Sequence, residues 1–236
     1  MYNPATGRRE FIAIGTSHEV SIGNSAASQI AGKYRLSSDA KALARLSLIG
    51  NKVASVSDRK DIVYKFYLIE DKTLNAFTIP GGHVYIYRGL YDILDDDELA
   101  GVLAHEIGHV AARHIVKRMQ AMLGYQILST IAISQYVRAR QPRKQEATAV
   151  AYAASTAFNL VTLGYSRQDE FQSDRLGLIY AYKAGYDPRG LARSLEKLDQ
   201  HKEKGISVPY ILRSHPYHDQ RIQRLQKQAE NLQYYS

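Results

Sequence analysis

The chain has 236 residues, 45% of them apolar, which is enough for one large domain or two small ones with a substantial core. Thirty-one Lys and Arg against 23 Asp and Glu give a net charge of +8, which favours acidic partners or an anionic surface without selecting between them. There is no cysteine, which excludes disulfides and thiolate metal sites, so any metal must be held by His, Asp or Glu.

The opening "MYNPATGRREF" lacks the charged start and apolar run of an export signal, as a mature exported protein restarted at a new Met also would. No uninterrupted apolar run reaches the roughly 20 residues of a spanning helix. From Ser17 to Lys33, apolar residues return every three or four positions (Val20, Ile22, Ala26, Ala27, Ile30), which predicts a helix. The stretch after Ser37, with Ala42, Leu43, Leu46, Leu48 and Ile49, predicts a second. The character then changes. "IVYKFYLIE" (62–70), "NAFTI" (75–79) and "HVYIY" (83–87) are β-branched and aromatic, with "PGG" at 80–82 as a tight turn, so a sheet of about three strands is expected.

After the acids Asp95 to Glu98, which suit the positive end of a helix dipole, the pattern is helical through about Met119. Met122 to Val137 and Ala147 to Leu163 predict a helical pair around "RARQPRKQE". A further helix runs from about Gln168 to Ala184, and two amphipathic helices follow, "PRGLARSLEKLDQHKEK" and "YHDQRIQRLQKQAENL". No repeat or linker divides the chain. The expectation is one α+β domain over 1–236, predominantly α-helical: N-terminal helices in 1–60, the sheet and a chemistry-bearing helix in 61–118, a basic and apolar helical pair in 119–165, and the remaining helices in 166–236.

That chemistry-bearing helix contains "LAHEIGHVAARH". Residues i and i+4 share a helix face, so His105 and His109 present two imidazoles to one point, a bidentate metal grip. Glu106 lies beside them, where it cannot readily ligate but can reach a water at the same metal; this is the logic of H-E-x-x-H. Two histidines leave a catalytic zinc incomplete, because such sites use three protein ligands. "SRQDEFQSDRLG" offers Glu170 as the third and Asp174, one turn on, as the carboxylate that orients a ligand histidine. The alternative for these acids is a solvated face, where most charged residues lie. Ala104, Gly108 and Ala111 form a stripe beside the histidines that would let a second backbone come close, although ordinary helix packing uses the same residues.

In these motifs the chain resembles the HtpX-like and CAAX prenyl endopeptidase-like zinc metallopeptidases, which are gluzincins. The resemblance rests on "NAFTIPGGHVYIYRGLYDIL", "DDDELAGVLAHEIGHVAARH", "SRQDEFQSDRLG" with "AGYDP", and "SHP", in that order, and extends from about Asn3 to Ile222. It implies a zincin-type fold with the small sheet beside the active helix, one Zn2+ per chain held by His105, His109 and Glu170, Glu106 as general base, and Asp174 as the orienting carboxylate. It also places His215, in "RSHPYHDQR", near the metal, either stabilising the developing oxyanion or plugging the open coordination position; a loop histidine set by Pro216 is the plain alternative. His218 and Arg221 are expected to support that loop, and His114 to meet the helix dipole rather than the metal.

Asn75, Ala76 and Phe77 are the expected edge strand along which a substrate backbone would add, unless the hairpin only supports the active helix. Between Ile107 and Gln145 there are seven Lys or Arg and no acid, so the helical pair there would rest on an anionic membrane, cover the cleft, or pack as ordinary core. "NPATGRREF" looks like the mature start of bacterial extracytoplasmic relatives, which implies a periplasmic or cell-envelope location with an export signal or lipid anchor removed. The expected function is metal-dependent endopeptidase action on unfolded or membrane-associated envelope proteins, with a metal-bearing chaperone whose cleft is plugged by His215 as the rival. Nucleic-acid binding would rest on net charge alone and is not expected.

Overall fold

In the computed structural model, the described residues are 2–122, 156, 159, 164–203, 215–216 and 218–232. The predicted helical pair around "RARQPRKQE", including any membrane-facing role for it, falls outside them.

Two short strands, β1 (Tyr2–Asn3) and β2 (Arg8–Arg9), pair at the start of the chain. Helices α1 (Thr16–Lys33) and α2 (Ala40–Val56) follow, the second capped by the Asp39 side chain accepting from Ala42 N. Strands β3 (Lys65–Ile69), β4 (Ala76–Ile79) and β5 (His83–Tyr87) form a mixed sheet in the order β3, β5, β4, with β3 parallel and β4 antiparallel to β5. The β4–β5 connection is the "PGG" turn, in which Gly81 and Gly82 both have positive φ, a region that costs glycine nothing.

Both sheet faces are covered, which is why the strands read as nearly continuous apolar runs rather than alternating ones. Leu68, Ala76, Val84 and Ile86 join the main core, together with residues of α2 and of the later helices. Their neighbours Ile69, Phe77, Tyr85 and Tyr87 face the other way, against Ile22, Ala26 and Ile30 of α1.

After the short helix α3 (Arg88–Ile93) comes α4 (Asp96–Ala111). A reciprocal cap opens it: Glu98 N donates to Asp95 Oδ1 and Asp95 N to Glu98 Oε2. Every α4 residue from Glu98 onward is buried, because α2, β4, α5 (Arg167–Lys183) and α6 (Gly190–Glu203) surround it. The last described helix, α7 (His218–Glu230), packs on α5 and α6.

The expected single helix through about Met119 is broken. Arg113 has φ +56°, the only non-glycine positive φ among the described residues, and residues 114–122 resume as helix beyond it. No glycine or proline marks this break, and the side chain holds it: Arg113 Nη2 donates to Thr16 Oγ1 at 2.9 Å and lies 3.5 Å from Asp61. Helix α1, expected from Ser17, starts one residue earlier, with Gly15 before it and the Thr16 hydroxyl donating to Asp61.

Candidate metal centre

The site forms where α4 crosses α5. A Cβ on Gly108 would stand 3.0 Å from the Ser173 carbonyl oxygen, and one on Gly177 would stand 2.9 Å from His105 N. The small-residue stripe on α4 therefore meets a glycine of α5, and the two backbones come close enough for a carboxylate at position 170 to reach the histidines.

His105, His109, Glu170 and His215 converge, each at most 3% exposed. His105 Nε2 lies 3.0 Å from His109 Nε2 and 3.5 Å from Glu170 Oε2, and His109 Nε2 lies 3.4 Å from Glu170 Oε1. His215 Nδ1 is 3.2 Å from His105 Nε2 and 3.0 Å from Glu170 Oε1.

This donor set fits zinc in two ways. Ligands at roughly 2.0–2.1 Å around a tetrahedral ion sit about 3.3–3.4 Å from one another, close to the separations found here. Buried polar atoms at the site are also left without hydrogen bonds. Among the described residues, Glu106 Oε2, Glu170 Oε2 and His215 Nε2 find no hydrogen-bond partner, the last two having charged contacts to Arg221 and Glu106, an arrangement that costs free energy unless a cation or substrate completes it.

Burial and charged neighbours together set the ionisation of the two glutamates in opposite directions. Burial pushes the Glu106 carboxyl up, only partly offset by His215 and His105. Burial also opposes ionisation of Glu170, but Arg221 and His215 outweigh it and hold that carboxyl well below its usual range. Arg221, the bulkiest fully buried side chain among the described residues, grips Asp174 through two bonds of 2.8 and 2.7 Å. Its Nη1 stands 2.7 Å from Glu170 Oε2 in an ion-pair contact whose angle makes no hydrogen bond. Asp174, although burial opposes its charge, is likewise kept anionic by Arg221, and its Oδ1 lies 3.0 Å from His105 Nδ1. That contact turns His105 Nε2 toward the other donors.

Each predicted site residue is thus accounted for. His105, Glu106, His109, Glu170, Asp174 and His215 come together. Arg221 does support the histidine loop, donating to the His215 carbonyl oxygen at 3.3 Å, but its contacts to Glu170 and Asp174 exceed that expectation. The His218 side chain lies outside the described set. Asn75, Ala76 and Phe77 lie at and just before β4, the sheet edge beside α4, and all three are buried.

His114 departs from its expected role at the helix dipole. It is buried with Nδ1 2.8 Å from His109 Nδ1, and its Nε2 lies 2.8 Å from Gln172 Oε1. Tyr165 was not singled out from the sequence either. Its ring stacks on the His109 imidazole with centroids 3.7 Å apart, and its buried hydroxyl finds no hydrogen-bond partner among the described residues. Burial, reinforced by Glu106, pushes that hydroxyl's pKa well up and keeps it protonated. A tyrosine just before a serine-capped helix carries no motif signal, so only the fold reveals it.

Two histidines and a glutamate from crossing helices, with a glutamate following the first histidine, form the site architecture of the HExxH zinc metallopeptidases. The model of peptidase family M48 matches residues 40–229, and the chain belongs to that family. The chain is 25% identical to the β-barrel assembly-enhancing protease of Escherichia coli K12, over 97% of this chain and 47% of that protein. It is 29% identical to the metalloprotease LoiP of the same organism, over 77% of this chain and 68% of that one. With the mitochondrial metalloendopeptidase OMA1 of Schizosaccharomyces pombe it shares 26% identity, over 96% of this chain and 65% of that one. The chain spans about half the length of the β-barrel assembly-enhancing proteases it matches. No helix among the described residues is long and apolar enough to cross a membrane.

Proposed function

We propose that the chain is a zinc-dependent endopeptidase that hydrolyses peptide bonds of unfolded or membrane-associated proteins in the bacterial cell envelope or periplasm. One observation carries the chemistry: His105, His109 and Glu170 present converging donors while Glu106 lies next to them. The envelope setting rests on the resemblance of the N-terminal tract and on the β-barrel assembly named for two relatives.

When bound, a zinc ion at these residues would acidify a water molecule and polarise the scissile carbonyl. Glu106 is the proton carrier. Its carboxyl, raised by burial, accepts the proton of the attacking water and returns it to the leaving amine nitrogen. Glu170, held anionic by Arg221, stays a donor and does not compete for that proton. Strand β4, with Asn75, Ala76 and Phe77, is the edge along which a substrate backbone would add.

A second reading is favoured by the position of His215. Its Nδ1 sits among the three donors and its Nε2 lies 3.3 Å from Glu106 Oε1, in a fully buried site. This closed arrangement is a self-inhibited one, in which His215 must withdraw before substrate enters. It also accommodates the rival function, a metal-bearing chaperone that seldom cuts.

The test is cleavage of casein by the purified zinc-loaded chain. Glu106→Gln should slow it by about 10²–10⁴-fold with zinc still bound, and a chelator should stop it. Rapid cleavage by His215→Ala beside a slow wild type supports the plugged site. A protein that binds no zinc removes the peptidase reading.

A further inference from the structure

We propose that His114 is a positioning residue for the metal centre, an imidazole that fixes the proton and orientation of the ligand His109 from behind. The inference rests on the zinc reading above and adds to it a residue that is neither a ligand nor part of the HExxH motif.

The geometry begins with the backbone. His114 is five residues after His109, and on an unbroken helix it would point roughly 140° away. The left-handed turn at Arg113 redirects the chain, so that His114 comes back beneath His109 with the two rings edge to face, centroids 5.0 Å apart. Arg113 is held in that turn by Thr16 and Asp61, side chains of a different part of the fold.

The hydrogen positions follow from the partners. His109 directs Nε2 at the donor cluster, so the neutral ring carries its hydrogen on Nδ1, which faces His114 Nδ1 at 2.8 Å. His114 Nδ1 must then be the acceptor and its Nε2 the donor. Gln172 Oε1 stands 2.8 Å from that Nε2, ready to accept. Ser173 Oγ, at 3.4 Å from His114 Nδ1, adds a weaker contact from α5. The result is a directional chain, His109 to His114 to Gln172, with one hydrogen on each imidazole. Ligand histidines usually give this outer hydrogen to a carboxylate, a backbone carbonyl or water, and removing such a partner weakens metal binding by about 10–100-fold. A histidine that merely filled the core would not need its Nδ1 aimed at His109 or an amide oxygen at its Nε2.

The test is zinc affinity of the whole 236-residue chain, measured by competition with a chromophoric chelator, for wild type, His114→Leu and His114→Asn. Asparagine places an amide oxygen near the position of Nδ1 and can still accept from His109. The expected result is a zinc dissociation constant raised about 10–100-fold in His114→Leu and restored to within about threefold of wild type in His114→Asn. Thermal unfolding of the metal-free proteins shows whether the Leu variant folds. Should it not, Gln172→Leu breaks the same chain one step further out and is expected to weaken zinc about tenfold. Equal affinity in His114→Leu and wild type overturns the proposal, as does an Asn variant as weak as the Leu variant. A wild type that binds no zinc overturns the metallopeptidase reading itself, a result distinguishable from these.

Discussion

The two ligand histidines are braced from behind by unlike chemistry. Behind His105 the support is ionic: Asp174 Oδ1 stands 3.0 Å from the imidazole Nδ1 and is clamped by the buried Arg221, which also touches Glu170. Behind His109 the direct support is the His114 imidazole, whose Nε2 faces the Gln172 amide oxygen at 2.8 Å and, at 3.5 Å, the Asp169 carboxylate, with the Tyr165 ring stacked alongside. Both fix a tautomer, but only the ionic side also balances charge. Glu170 and Asp174 bring two carboxylates into a dry site, and Arg221 offsets one of them before any cation arrives.

Arg221→Leu is the strongest way to break that contrast. It leaves two buried carboxylates facing each other, and loss of a buried partner costs about 3–5 kcal/mol in the metal-free protein. The pH dependence has a definite sign. Both carboxyls are depressed below their ordinary values of 4.5 and 3.8, so their stabilisation is present above those values and is lost as the pH falls through the lower, folded-state ones. The deficit of Arg221→Leu should therefore be full at neutral pH and shrink in the acid range below about 4.5. Urea unfolding of both chains across that range reads it directly, and a deficit independent of pH would refute the charge-balancing role.

Gly177→Val tests the crossing on which both braces depend. A side chain there meets His105 backbone 2.9 Å away, so the helices must separate, at a cost of about 1–3 kcal/mol. Because His105 and Glu170 move apart together, zinc affinity should fall along with the unfolding temperature. Loss of stability with zinc affinity intact would mean that the close approach serves packing alone.

The contrast between the sides also explains what could be read in the sequence. The ligands and Asp174 follow regular helical spacing: His105 and His109 at i and i+4, Glu170 and Asp174 likewise on α5, and small residues at the crossing. Those patterns survive because α4 and α5 are unbroken where they carry the ligands. The sheet was legible for a similar reason, since its strands are covered on both faces and end at a glycine turn. His114 was not, because its contact depends on a left-handed Arg113 that lacks the usual glycine signal. Arg221 was seen only as a loop support, since nothing in an amphipathic pattern marks which arginine turns inward; it lies 47 residues from Asp174, and only the packing of α7 on α5 joins them.

The most direct measurement is an anomalous diffraction map at the zinc edge from crystals of the zinc-loaded chain. The account predicts one peak per chain at about 2.0–2.2 Å from His105 Nε2, His109 Nε2 and a Glu170 carboxylate oxygen. A peak coordinated elsewhere, or a Glu170 side chain turned away from the two imidazoles, would contradict it.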